Sequence, residues 1–353
     1  MPGAFAHITA VNQAFMQGDA LYALPSRMQR ILLVNQRYVE MGAVSPDFPY
    51  LKITDSLQAA WADRMHYQSV GDLLRNMIEH VRRLQGEQQD RAFAWLSGFL
   101  AHVITDIAIH PVIELKVGEY DQNKQQHREC EMHQDAFIWQ RMGLGDIGYV
   151  ERLSRHLLHC AEIQSPHQID HVIETVWRES LLDTYGQQFG TPDIDGWYVG
   201  FIRVMSLVED QYRLFPFSRH VAAFLGLVYP QISAIDRQYI EYLETPYGCW
   251  HYDQVFDFTV ANIIRYQCLL GESVYEHGAT DWLKNWNLDT GRCEQGNLTL
   301  WSPEHIDAPE RIGALVCLGT QTQREIPAGN TPNFDEQKLS APVACRMARS
   351  IRR

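Results

Sequence analysis

The chain lacks any uninterrupted apolar run near the ~18 residues a membrane-spanning helix needs, so no transmembrane segment is expected. Its opening stretch, MPGAFAHITAVNQAFMQGD, lacks the basic start, long apolar core and cleavage site of a secretory signal. Positive charge is also short: 30 Lys and Arg stand against 43 Asp and Glu, a formal net charge of −13. Stable binding to a nucleic-acid backbone is therefore not expected. The cysteines (Cys130, Cys160, Cys249, Cys268, Cys293, Cys317 and Cys345) are odd in number and include no CxxC pair. That pattern favours free thiols in a reducing compartment over a disulfide framework or a thiolate zinc site. A cytoplasmic location is the expectation, with signal-independent export left open. Internal repeats and low-complexity linkers are missing too. What remains is an ordinary globular composition, 46% hydrophobic and 21% charged, long enough for a large core. The one basic patch, CRMARSIRR with Arg346, Arg349, Arg352 and Arg353, reads as a solvated tail.

Apolar periodicity is mostly helical. SRMQRILLVNQRYVEMGA (26–43) starts with a capping Ser and closes near a Gly, and SVGDLLRNMIEHVRRLQ (69–85) steps its apolar residues by three and four. DRAFAWLSGFLAHVITDIAIHPVIEL (90–115) is apolar nearly all round and predicts the central buried helix, kinked or ended by Pro111. HRECEMHQDAFIWQRM (127–142) predicts a further helix after a loop. Others are expected near 147–162, 167–184, 196–213, 217–228 and 250–277. Strand-like alternation is confined to NLTLW (297–301) and GALVCLG (313–319). The expected layout is all-α: a helical body over 1–285, then a less regular C-terminal segment, 286–353, that can pack on it.

Within the most apolar helix, His102, Asp106 and His110 repeat every four residues, which places them on one face. A second stripe, His127, Glu131 and Asp135, follows at the same spacing. Burying such groups without partners costs several kcal/mol. Six imidazoles and carboxylates on two adjacent helices suit zinc, which takes nitrogen and oxygen ligands. A di-iron bundle would need Glu-x-x-His pairs, absent from both helices. The adjacent His-Asp pair of HD-type phosphohydrolases is likewise missing, since Asp170–His171 has the reverse order. Upstream, Asp47 stands between two prolines in GAVSPDFPYL, a rigid turn. His66 lies in WADRMHYQ, and His7 falls on the first expected helix. His133 flanks the second stripe, whereas His156, His159, His167 and His171 have no such carboxylate register and read as surface or core residues.

Taken in order, an N-terminal His, an Asp in a Pro-flanked turn, a His, then His-x3-Asp-x3-His and His-x3-Glu resemble the zinc-dependent phospholipase C family over residues 1 to about 140. That family shares with S1/P1-type nucleases an all-helical fold with a three-zinc cluster at the bottom of a cleft. The resemblance implies two or three Zn2+ ions. His66, His102 and Asp106 would hold one, with Asp47 beside it as a ligand or as the catalytic base that orients water. Asp106 would bridge to a second zinc that His7 also binds, and His110, His127 and Glu131 would hold the remaining one. Asp135 is the candidate for orienting a ligand from behind. Two departures stand out. No Trp precedes His7 to supply the amine and carbonyl that complete its zinc in the secreted enzymes. The short Asp106–His110 spacing is similar to that of glycosylphosphatidylinositol-specific phospholipase D.

The expected activity is hydrolysis of a phosphodiester, foremost a phospholipid split into diacylglycerol and a phosphorylated head group. An S1/P1-like nuclease or soluble phosphodiesterase would use Tyr50, Trp61 and Tyr67 as stacking platforms. A metal-bound binding or structural protein without turnover is the third reading. The Trp-rich DWLKNWN (281–287) and ETPYGCWHYD (244–253) could reach a lipid surface in a peripheral contact, though packing between helices is the commoner use of such aromatics.

Overall fold

The computed structural model describes residues 3–16, 24–52, 55–145, 157–162, 164–213 and 229–306. The expected helices at 26–43, 69–85, 90–115, 127–142, 196–213 and 250–277 are present with shifted ends. They are α2 (Ser26–Val34) and α3 (Gln36–Gly42), split at Asn35, then α5 (Val70–Arg82), α6 (Gly86–Val117), α7 (Tyr120–Trp139), α9 (Ile194–Arg213) and α10 (Tyr252–Tyr275). The remaining long helices are α1 (Ala4–Met16), α4 (Ser56–Tyr67) and α8 (His171–Tyr185). The fold is all-α, with two small antiparallel hairpins among the described residues, Ala161–Glu162 with Ser165–Ile169 and Leu243–Thr245 with Gly248–Trp250.

Several expectations are corrected. The stretch 165–169 opens the 167–184 segment as a strand rather than a helix, because Asp170 caps α8 by accepting from the N–H groups of Val172 and Ile173. NLTLW forms no strand, having no partner to pair with among the described residues. Cys249 is disulfide-bonded, although sequence spacing carried no sign of it, while Cys130, Cys160, Cys268 and Cys293 are reduced. The segments 217–228 and GALVCLG, most of the expected helix at 147–162, and Cys317 and Cys345 lie outside the described residues.

α6 is the axis of the molecule. Its residues are buried without a break from Ala92 to Ile113. By length and composition it could cross a membrane, but the whole of that apolar window is buried within the protein, as befits a core helix. Pro111 does not end it; the helix runs on to Val117. Two glycines bring α3 against it. A Cβ on Gly42 would stand 2.0 Å from the Trp95 carbonyl oxygen, and one on Gly98 would stand 2.0 Å from that of Val39. The approach brings the Ala43 carbonyl to His102. Immediately after α3, the 3-10 turn Ser45–Leu51 is pinned to α6 by the Trp95 Nε1–H, which donates to Ser45 Oγ at 3.0 Å. The Pro-flanked Asp47 is thereby set beside the polar stripe.

Candidate metal centre

The ligand candidates are presented by five pieces of the scaffold: His7 by α1, Asp47 by the 3-10 turn, His66 by the last turn of α4, His102, Asp106 and His110 by α6, and His127 and Glu131 by α7. The structure brings them into three groups whose donor atoms lie within 4.8 Å of one another: Asp47–His66–His102, His7–His102–Asp106, and His110–His127–Glu131. His7, His66, His102, Asp106, His110 and His127 are completely buried.

Asp106 sits at the junction. Its Oδ1 is 3.3 Å from His7 Nε2, while its Oδ2 is 3.1 Å from His102 Nε2 and 3.9 Å from His66 Nε2. The two oxygens thus face two different sets of nitrogens, the arrangement a bridging carboxylate needs. Asp47 Oδ1 lies 3.2 Å from His66 Nε2 and 3.8 Å from His102 Nε2. In the third group the Glu131 Oε1 is 3.2 Å from His127 Nε2 and 3.6 Å from His110 Nε2.

Three imidazoles are oriented from behind. The Nδ1 of His66 donates to the Ala62 carbonyl at 2.7 Å, that of His102 to the Ala43 carbonyl at 2.9 Å, and that of His110 to the Leu288 carbonyl at 2.5 Å. A carbonyl only accepts, so each bond fixes the hydrogen on Nδ1 and turns the Nε2 lone pair inward. Both oxygens of Asp106, both ring nitrogens of His7 and His127, Nε2 of His110 and Oδ1 of Asp47 are buried and make no hydrogen bond. So many unsatisfied groups in one place would cost several kcal/mol each. Divalent cations would satisfy them, and nitrogen with carboxylate oxygen is a donor set zinc accepts. The residues fit the metal.

The charge states of the metal-free protein carry the same message. Burial opposes ionisation of Asp106, yet His102 and His7 hold its carboxyl well below the usual range. Asp47 is likewise lowered by the imidazoles around it, against its burial. Burial also works against a charged His102, but Asp106 and Asp47 push it up to about 9. Burial and the neighbouring His102 lower His7. Burial lowers His127 as well. Against its burial, Glu131 is lowered, with the neighbouring imidazoles of His110 and His127 contributing.

Asp135, expected behind a ligand imidazole, acts one step further back. Its Oδ1 accepts from the Ala6 N–H at 2.9 Å and its Oδ2 from the Phe5 N–H at 3.3 Å. It caps the first turn of α1 from α7 and so positions the helix that carries His7. Burial raises its carboxyl well above the usual range, against those two donors.

A cleft of about 1180 Å3 opens onto the first and third groups, where Asp47, His127 and Glu131 line it. Tyr50, Tyr67 and Tyr120 form aromatic walls, and Asp63, Glu119, Asp121 and Asp289 add carboxylates against Lys124 and Arg128. Trp61, considered for this wall, is fully buried in the core instead. Trp286 of the DWLKNWN stretch is buried, and both it and Trp282 pack edge-on against Tyr266. Sequence reasoning missed Leu288 and Asp289, the latter with a buried Oδ1 that makes no hydrogen bond. The other histidines stay apart from the centre. His171 pairs with Glu162, where Asp170 is already engaged by Arg91 and Tyr38. His133 accepts from the Asp236 N–H, while His159 and His167 are exposed, and His156 is outside the described residues.

A family model described as zinc dependent phospholipase C matches residues 6–186, just over half the chain, and encloses all three groups. Curated proteins and solved structures give no significant match.

Proposed function

The chain belongs to the zinc-dependent phospholipase C family, and from that premise we propose that it hydrolyses a glycerophospholipid to diacylglycerol and a phosphorylated head group. The observation that carries this reading is the convergence of three donor groups with buried unsatisfied atoms, two of which reach one open cleft through Asp47, His127 and Glu131.

In this reading two or three zinc ions would be held: by His66, His102 and Asp106 with Asp47 adjoining, by His7 with Asp106, and by His110, His127 and Glu131. Zinc supplies the positive charge that neutralises phosphoryl oxygens and acidifies water. The chain's own residues do the rest. Asp47 is the carboxylate of the first group that lines the cleft, and its imidazole neighbours keep it ionised. It is therefore placed to orient the attacking water and take its proton. The Nδ1–carbonyl bonds of His66, His102 and His110 keep their rings from turning as substrate enters. Tyr50 donates to Asp63 at 2.8 Å, which braces one wall of the cleft.

The carboxylates around the opening favour a lipid over a polyanion such as single-stranded nucleic acid, which they would repel. Assaying the zinc-loaded protein on phosphatidylcholine vesicles and on single-stranded DNA, with His102→Ala alongside, tests the proposal. Release of phosphorylated head group by the wild-type protein alone is the expected result. Turnover confined to DNA, or equal turnover by His102→Ala, would overturn it.

A further inference from the structure

The carbonyl that orients His110 comes from a part of the chain that the family model does not reach. Residues 286–301 fold back on α6 at its proline. Trp301 donates its Nε1–H to the Ala108 carbonyl at 3.1 Å. Pro111 has no N–H, so the Ile107 carbonyl one turn earlier loses its helical partner. Gly291 packs against that spot: a Cβ there would stand 2.6 Å from Pro111 Cγ and 2.8 Å from the Ile107 oxygen. The backbone at Gly291, with φ +66°, also lies in the left-handed region that side chains avoid.

Between these anchors the segment ties itself into a tight loop. Asn287 N–H donates to the Arg292 carbonyl at 2.8 Å, and Gly291 N–H to the Asn287 carbonyl at 2.9 Å. The Asn287 side-chain oxygen accepts from the Asp289 N–H at 3.0 Å and the Thr290 N–H at 3.2 Å. Trp286 Nε1–H reaches Thr299 Oγ1 at 2.8 Å. The loop holds the buried Leu288 between two of the donor groups. Its N–H donates to the His66 carbonyl at 2.8 Å, and its own carbonyl takes the His110 Nδ1 hydrogen at 2.5 Å. His66 and His102 draw their carbonyls from within residues 6–186; His110 does not.

We propose that residues 286–301 are a positioning element of the metal centre: by fixing His110 with its hydrogen on Nδ1, the Leu288 carbonyl makes loading of the His110–His127–Glu131 group depend on this segment. The inference rests on the reading that this group holds a metal. Without the Leu288 carbonyl, the His110 hydrogen is free to move to Nε2 and block the ligand position. Loss of such a partner behind a ligand typically weakens metal affinity about 10–100-fold.

Gly291→Val in the full chain tests this, because it forces the loop off α6 without altering any proposed ligand. Zinc per chain, affinity by chelator competition and far-UV circular dichroism are measured beside the wild-type protein and His127→Ala. The expected result is a helical Gly291→Val protein in which one class of zinc site is weakened about 10–100-fold, with the remaining zinc held as before. Wild-type stoichiometry and affinity in Gly291→Val, with zinc lost in His127→Ala, would overturn the inference while leaving the metal reading intact. Undiminished zinc in His127→Ala would instead overturn the metal reading and the inference with it. Should Gly291→Val fail to fold, nitrogen-15 NMR of the wild-type zinc-free protein, labelled at histidine, decides directly. A hydrogen on Nδ1 of His110 is expected, and a hydrogen on Nε2 alone would overturn the inference.

Discussion

The Nε2 atoms of His66 and His102 face each other at 3.4 Å, and each ring commits its Nδ1 hydrogen to a main-chain carbonyl. Were both rings neutral, two lone pairs would meet beside the carboxylates of Asp47 and Asp106. Such a geometry needs a cation. In the metal-free protein a proton supplies it, since His102 is pushed up to about 9 by the two carboxylates. Zinc and that proton compete for one place, and the consequence is a pH dependence whose sign differs between the two forms.

A histidine whose pKa is raised by folding stabilises fully below its unfolded value of 6.5, and that contribution fades as pH rises through about 9. The zinc-free protein should therefore lose thermal stability between pH 6.5 and 9 at this site. The zinc-loaded protein should not, because deprotonation favours metal binding. Melting curves of both forms across that window check the prediction. Parallel curves, with the same decline in each, would contradict it.

Asp47→Asn keeps the shape of the side chain but cannot take a proton from water. A fall in kcat of about 10^2–10^4-fold is expected, the usual range for loss of a general base. Zinc content should hold, because His66, His102 and Asp106 remain. Steady-state kinetics paired with metal analysis separates this from loss of a ligand; near-normal kcat would remove Asp47 from the proton-transfer role.

Asp135→Ala leaves the N–H groups of Phe5 and Ala6 without their acceptor inside the protein. The expected cost is about 1–3 kcal/mol of stability, read by denaturant unfolding of the zinc-free chain. Because α1 also carries His7, the variant should weaken zinc binding at the His7–Asp106 position before the other groups. Unchanged stability would show that the cap is dispensable.

Asp289 lines the cleft with a buried oxygen that makes no hydrogen bond. Asp289→Asn should raise KM several-fold while zinc content and kcat stay near the wild-type values, as expected when an interaction with bound substrate is lost equally in ground and transition states. Vesicle kinetics at saturating and limiting lipid separate the two parameters, and an unchanged KM would place Asp289 outside the substrate's reach.

The polar stripe of α6 was legible because helical periodicity is local: residues four apart share a face whatever the rest of the chain does. His102, Asp106 and His110 therefore announced themselves, and the second stripe on α7 confirmed that more than one helix was involved. Asp47 was legible for another local reason, its two flanking prolines. Pro111 did not end the helix: α6 runs on to Val117, with Gly291 packed beside the Ile107 carbonyl that the proline leaves without its helical partner. The Leu288 carbonyl was beyond sequence reasoning altogether. It reaches His110 across 178 positions of chain, through a main-chain atom whose role leaves no trace in the identity of its side chain. Asp135 sat in the expected register, yet what it holds is the start of a helix rather than an imidazole.

The central claim is that the three groups hold zinc. Anomalous diffraction from crystals of the zinc-loaded protein, recorded on both sides of the zinc absorption edge, tests it most directly. Two or three edge-dependent peaks are predicted: one among Asp47, His66, His102 and Asp106, one among His110, His127 and Glu131, and, where a third ion is present, one between His7 and Asp106. Zinc-loaded crystals without an edge-dependent peak at these side chains would contradict the account.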